Sequence, residues 1–239
     1  RIRRNDKADA MRLLVCLDFD GTLAELNPDP YAVRIHPQSE AAIRRLAAVP
    51  DTEVAILTGR HIEGIKQVLP PNLPVTLIGS HGAEPGPALS DQDRAYLGRI
   101  ENQLQKLATD GAYVEVKPYQ RVLHVAKVQN PTAAKAILAA ANAIDTQGRP
   151  KTQGHNVVEF SAVEITKGTW LNAYKQAFDR TIFAGDDDTD EHAMAVLEEH
   201  DLGIKVGTKP SRATRRVPNV DAMAQLLTQL ADEREAWSA

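Results

Sequence analysis

A doubly wound α/β sheet core interrupted by an inserted α+β domain is the fold that this sequence predicts. Three observations carry that expectation. Short apolar runs alternate with segments of helical periodicity, the middle of the chain breaks the alternation, and polar clusters follow the apolar runs. The runs at 13–17, 54–57, 75–78, 182–184 and 202–206 are continuous, as suits parallel strands buried on both faces. Between them Ile43, Leu46 and Val49 repeat at helical spacing, as do Ile62, Ile65, Val68 and Leu69. Trp170, Leu171, Tyr174 and Phe178 mark a further helix, and Val220, Met223, Leu226, Leu227 and Leu230 the last. Strands alternating with helices give a Rossmann-like parallel sheet.

The middle reads differently. A helix carrying Leu97, Ile100, Leu104 and Leu107 precedes two neighbouring strands near 113–116 and 122–126. Asn130-Pro131 supplies a cap and a first-turn proline for the next helix, whose apolar face is Ala134, Ile137, Leu138 and Ala141. A strand near 156–160 follows. The expected division is a core of 1–85 and 165–239 around an inserted domain of 86–164.

Composition narrows the function. The chain has 239 residues, enough for one large domain or two small ones, and 43% of them are hydrophobic, ordinary for a globular protein. A net charge of -4 with no long block of one sign argues against nucleic acid or an acidic membrane as partner. The basic start, Arg1 to Arg4, is short enough to read as a frayed end. Cys16 is the single cysteine and is expected in the core, which fits a reducing compartment. No apolar run is long enough for a membrane span and no secretory signal pattern opens the chain, so the expected location is cytoplasmic.

The polar clusters fall where strands end: Asp18-Phe19-Asp20-Gly21-Thr22, Thr58-Gly59-Arg60, Ser80-His81-Gly82, and the run from Gly185 to Asp190. Ligands of open α/β sheets bind outside the carboxyl ends of the strands, so four segments converge on one crevice. Asp18 and Asp20 flank one residue after a buried strand, and Asp186, Asp187, Asp188 and Asp190 lie near the same edge. Carboxylates crowded in a crevice repel one another unless a cation or a proton intervenes. Hard oxygen ligands without a paired histidine or cysteine point to Mg2+. The acids after Gly185 also suit a helix start, with Asp190 as a cap and Asp186 on the metal. Thr58-Gly59-Arg60 offers a hydroxyl and bare backbone to a phosphate.

These motifs resemble those of the haloacid dehalogenase superfamily. Asp18-Phe19-Asp20-Gly21-Thr22 is similar to its first motif, Thr58 to the second, Lys167 to the third and Gly185-Asp186-Asp187 to the fourth, in order across the chain. Finer features resemble the trehalose-6-phosphate phosphatases. These are Thr58-Gly59-Arg60, Gly79 to Glu84 as Gly-x-His-Gly-x-Glu, and Gly185 to Glu191 as Gly-Asp-Asp-x-Thr-Asp-Glu. In the inserted domain, Glu115-Val116-Lys117 and Glu159 resemble sugar-holding residues of that family's cap. The chain departs from the family after His124, where Val125-Ala126 replaces Tyr-Arg and Arg121 is the candidate stand-in.

The resemblance implies a magnesium-dependent phosphatase acting on a small-molecule sugar phosphate in trehalose biosynthesis; the oligomeric state is unknown from the sequence, a monomer being plausible. Asp18 is implied as nucleophile and Asp20 as general acid and base, with Thr58 and Lys167 on the phosphoryl oxygens. Asp18, the backbone carbonyl of Asp20, and Asp186 are implied as metal ligands, and Asp187 and Asp190 as orienting groups. Gly59, Arg60, His81, Glu115, Lys117 and Glu159 are implied on the substrate. The alternatives are a phosphatase for sucrose or mannosylglycerate phosphate, a hexose-phosphate mutase, and a silent metal-binding domain.

Overall fold

The computed structural model describes residues 10–86 and 88–238, so the basic start at 1–4 lies outside the described residues. In chain order the elements are β1 (Leu13–Leu17), α1 (Pro37–Ala48), β2 (Thr52–Leu57), α2 (Ile62–Lys66), β3 (Thr76–Ile78), α3 (Asp91–Leu107), β4 (Tyr113–Val116) and β5 (Gln120–His124). There follow α4 (Pro131–Asn142), β6 (Lys151–Gln153), β7 (Val157–Ser161), α5 (Lys167–Tyr174), β8 (Arg180–Gly185), α6 (Asp188–Met194), β9 (Leu202–Val206), β10 (Arg215–Val217) and α7 (Val220–Ser238). The chain divides into two compact units, one running to Pro85 and resuming at Ile165, the other Gly86–Glu164.

The first unit is built on a six-stranded sheet in the order β10-β9-β8-β1-β2-β3, with every pair parallel. Alternation along β1 divides its side chains between two apolar layers. Leu13, Val15 and Leu17 pack with Ile43 and Leu46 of α1 and Met223, Leu226 and Leu227 of α7. Leu14 and Cys16 pack on the other face with Leu171 of α5 and Ala193 and Met194 of α6. Both faces are covered, which explains why these strands read as unbroken apolar runs. Cys16 is fully buried in that second layer. The chain leaves β1 toward β2 and β3, then returns on the other side through β8, β9 and β10. The strand order therefore reverses between β1 and β8, where a sheet of this type opens a crevice at its carboxyl edge.

The second unit is a four-stranded antiparallel sheet, β4-β5-β7-β6, with α3 and α4 packed on one face. Leu123, Val158 and Phe160 point into that helix-covered layer beside Leu97, Ile100, Leu104 and Ile137. The alternate residues Tyr113, Glu115, His124 and Glu159 stand on the opposite face. Asn130 caps α4 by accepting from Thr132 N and Ala133 N.

The sequence pattern missed β6 and β10. All three residues of β6 are exposed, and β10 is three residues with only Val217 buried, so neither carries an apolar run. The helix expected from Ile62 to Leu69 stops after five residues and closes in turns before Pro70-Pro71, since a proline cannot continue a helix. Among the described residues no helix is long and apolar enough to cross a membrane.

Phe160 is fully buried in the second unit. Phe160→Ala is expected to destabilise that unit by about 3–5 kcal/mol, read as a lower urea midpoint.

Candidate active site

The first and last acidic motifs meet at the reversal point. Asp18 directly follows β1 and is 5% exposed; Asp186 directly follows β8. Between them sits Lys167, the first residue of α5, whose start is fixed by Thr166 accepting from Thr169 N in a capping box. Lys167 Nζ donates to Asp18 Oδ1 at 2.8 Å and to Asp190 Oδ1 at 2.7 Å. Asp190 Oδ2 accepts from the backbone N–H groups of Asp186 and Asp187, both at 3.0 Å. Asp190 thus holds the loop after β8 in shape with one oxygen and the lysine with the other. Thr22 Oγ1 donates to Asp18 Oδ2 at 3.2 Å.

The approach of these segments is close. Gly21 has φ +79, and a Cβ there would lie 2.0 Å from Asp186 Oδ2, so no other residue fits without moving that carboxylate. A second tight contact joins the Thr58 loop to the His81 turn. A Cβ on Gly59 would lie 2.5 Å from Cε1 of His81, and His81 N donates to Thr58 O at 2.9 Å. Thr58 is buried at 1% exposure, and its hydroxyl accepts from Arg60 N at 3.1 Å.

Asp20 stands apart from the carboxylate cluster. Its Oδ2 accepts from Arg60 Nε at 2.7 Å and its Oδ1 from Arg60 Nη2 at 2.8 Å. Arg60 Nη1 donates to Pro30 O at 2.7 Å, and the guanidinium lies over the Phe19 ring.

In the second unit, Lys117 Nζ lies 3.3 Å from Glu159 Oε2, and Glu115 Oε2 is 2.7 Å from His124 Nε2. Glu115 and Glu159 both register with Val122, one from each side. His124 stacks on Tyr113 with ring centroids 4.7 Å apart. Arg121 pairs instead with Glu101 of α3 at 2.9 Å, on the helix-covered side, so it does not stand beside Glu115 and Glu159.

Residues 16–226 match the sequence model of the family described as trehalose-phosphatase. The chain belongs to the trehalose-phosphatase family. The family consists of phosphoric monoester hydrolases. A bifunctional trehalose-6-phosphate synthase/phosphatase from Thermoproteus tenax is 32% identical over 95% of this chain, which spans 33% of that protein. A trehalose-6-phosphate phosphatase from Escherichia coli is 31% identical over 88% of this chain and 85% of its own length. A solved trehalose-6-phosphate phosphatase related protein superposes with a TM-score of 0.72 at 25% identity, covering 94% of this chain and 99% of the other.

As trehalose-phosphatase residues, the clustered acids fit a cation. Ligand oxygens of Asp18, Asp186 and Asp190 all lie within 4.8 Å of one another, with one lysine among three carboxylates. Burial, first, pushes the Asp18 carboxyl well up despite the Lys167 charge, and neighbouring Asp190 and Asp186 push the same way. Asp186 is raised as well, chiefly by burial. Carboxyls this close repel one another unless a proton lies between them, at the place where a metal ion could sit. Burial alone would lower Lys167; the charges of Asp18 and Asp190 outweigh it and hold it up, so the ammonium stays charged. A second acidic group, Glu198, His200 and Asp201, has Lys175 Nζ on both carboxylates, so the ammonium already supplies its cation.

Sequence reasoning missed the support behind the loop after β8. Lys205 is fully buried in β9 and lies 3.3 Å from Glu191, whose carboxylate also accepts from Ser211 Oγ and Arg212 N. Burial alone would raise the Asp187 carboxyl; the Lys209 pair, the Asp188 N–H and the Lys205 charge together outweigh it and lower it. A lysine inside an apolar strand, Ile204-Lys205-Val206, was the available signal.

In metal-free protein the folded state holds Asp186 protonated over a pH range in which the unfolded chain has lost that proton. Stability therefore falls as pH rises from the ordinary carboxylate range through the raised value. With chelator present, Asp186→Asn is expected to raise the urea midpoint at pH 7, the gain shrinking toward pH 4, read from urea unfolding at each pH. Gly21→Val is expected to abolish activity and weaken metal binding.

Proposed function

We propose that this chain hydrolyses trehalose 6-phosphate to trehalose and phosphate, with Mg2+, in trehalose biosynthesis. The observation that carries the reading is the buried Lys167 joining Asp18 to Asp190 at the sheet's reversal point. Family membership supports the reaction class, and the relatives named for trehalose 6-phosphate support the substrate.

Asp18 attacks phosphorus and forms an aspartyl-phosphate while the phosphorus–sugar oxygen bond breaks. Asp20 gives its proton to the departing sugar oxygen. Water then attacks the phosphorus of the intermediate, Asp20 takes the water's proton, and phosphate leaves with Asp18 restored. Thr58 and Lys167 hold the phosphoryl oxygens. Lys167 offsets negative charge in the transition state of phosphate-monoester hydrolysis, a reaction so slow uncatalysed that enzymes accelerate it by up to ~10²¹-fold. Asp18, Asp186 and the carbonyl of Asp20 would hold the ion; when bound it neutralises phosphate charge. Asp187 and Asp190 orient the loop. Gly59 and His81 shape the phosphate side, and Glu115, Lys117 and Glu159 read the sugar hydroxyls from their common sheet face. The second unit then acts as a specificity cap.

Phosphate release from trehalose 6-phosphate, glucose 6-phosphate, sucrose 6-phosphate and mannosylglycerate phosphate tests this directly. Turnover of trehalose 6-phosphate is expected to dominate and to stop with chelator. Asp18→Asn is expected to lose at least about a thousandfold in kcat. Preference for another sugar phosphate would keep the reaction and remove the substrate assignment. Glu159→Gln is expected to raise KM for trehalose 6-phosphate while leaving the thermal midpoint within about 2 °C.

A further inference from the structure

The proposed acid and base, Asp20, is held by both oxygens in a two-pronged fork from Arg60, at 2.7 and 2.8 Å. A carboxylate so engaged has neither favoured hydrogen-bonding position turned to a leaving oxygen, because the paired N–H groups take the outer lone pair of each oxygen. If Asp20 works as proposed, the fork must open. The residues around it say what opens it. Lys167 is already shared between Asp18 and Asp190, Lys205 lies on Glu191, and Lys209 on Asp187. Arg60 pairs at the mouth of the site: its side chain is 15% exposed and that of Asp20 32%, against 2% for Lys167. Its backbone N–H is tied to the hydroxyl of Thr58, the proposed phosphoryl contact. A phosphate dianion arriving beside Thr58 offers three oxygens to the guanidinium and outbids a single carboxylate.

We propose that Arg60 exchanges partners, gripping Asp20 in the free protein and the substrate's phosphate in the complex, so that phosphate binding itself releases Asp20. This rests on the assignment of Asp20 made above. Arg60 is then a positioning residue for Asp20 and a contact for phosphate in turn. The tie of Nη1 to Pro30 O at 2.7 Å lets one edge of the guanidinium stay anchored while the other changes partner.

The test follows the Arg60 side-chain Nε–H signal by NMR in the full chain with magnesium, assigned by its loss in Arg60→Lys, with inorganic phosphate as probe. In free wild type the signal is expected to differ from that in free Asp20→Asn, since the fork is present in one and broken in the other. At saturating phosphate the two proteins are expected to give the same Arg60 signal, because Arg60 no longer touches residue 20. Arg60→Met is expected to bind phosphate about tenfold more weakly by calorimetry. A wild-type signal that keeps its position at saturation, a bound signal that still depends on residue 20, or failure of phosphate to bind any of these proteins overturns the exchange. Loss of turnover on every sugar phosphate with the exchange intact would remove the proposed reaction and leave the exchange standing.

Discussion

Lys167 is an ammonium at 2% side-chain exposure between two buried carboxylates, and the rest of the site is arranged around that charge. A buried ion contributes to a fold only when geometry and hydrogen bonding compensate its lost hydration. Here the compensation comes from three separate elements. Asp18 arrives at the end of β1, Asp190 from the first turn of α6, and Lys167 from the first residue of α5. Asp190 in turn holds the backbone of Asp186 and Asp187. Removing Lys167 leaves uncompensated negative charge in the interior, so the site and the sheet edge form a single electrostatic unit.

That unit exists because of topology. Parallel strands buried on both faces bring their carboxyl ends to one edge, and the reversal between β1 and β8 leaves an opening there. The close approach of Gly21 to Asp186 makes the opening narrow enough for the carboxylates to share a cation. Excess negative charge is the functional feature: a site with one lysine among three acids is incomplete until it takes up a positive ion or a proton.

Much of this was legible in the sequence. Continuous apolar runs gave the parallel sheet because burial on both faces leaves no polar alternation to read. Asp18, Asp186 and Lys167 could be listed from their motifs, yet the bond of Lys167 to Asp18 could not, since the two lie 149 positions apart. Asp190 was readable as a helix-start acid; its second bond, to Lys167, belongs to tertiary structure alone. The fork between Asp20 and Arg60 was hidden for the same reason, the two lying 40 positions apart. The strands β6 and β10 escaped because edge strands of three residues with little burial leave no hydrophobic pattern. In the second unit the sequence could name Glu115, Lys117 and Glu159, but only the register across β4, β5 and β7 places the two glutamates on one face beside Lys117.

The central claim is that Asp18, held by Lys167, is the group that accepts the phosphoryl moiety. Trapping tests it most directly: the enzyme is quenched during steady turnover of trehalose 6-phosphate, reduced with borohydride, and mapped by tandem mass spectrometry. An acyl phosphate at Asp18 is reduced to the alcohol, so residue 18 is expected to appear as homoserine, and only in samples that contained both substrate and magnesium. Turnover with residue 18 recovered entirely as aspartate, or with the reduced residue at another position, would contradict the account.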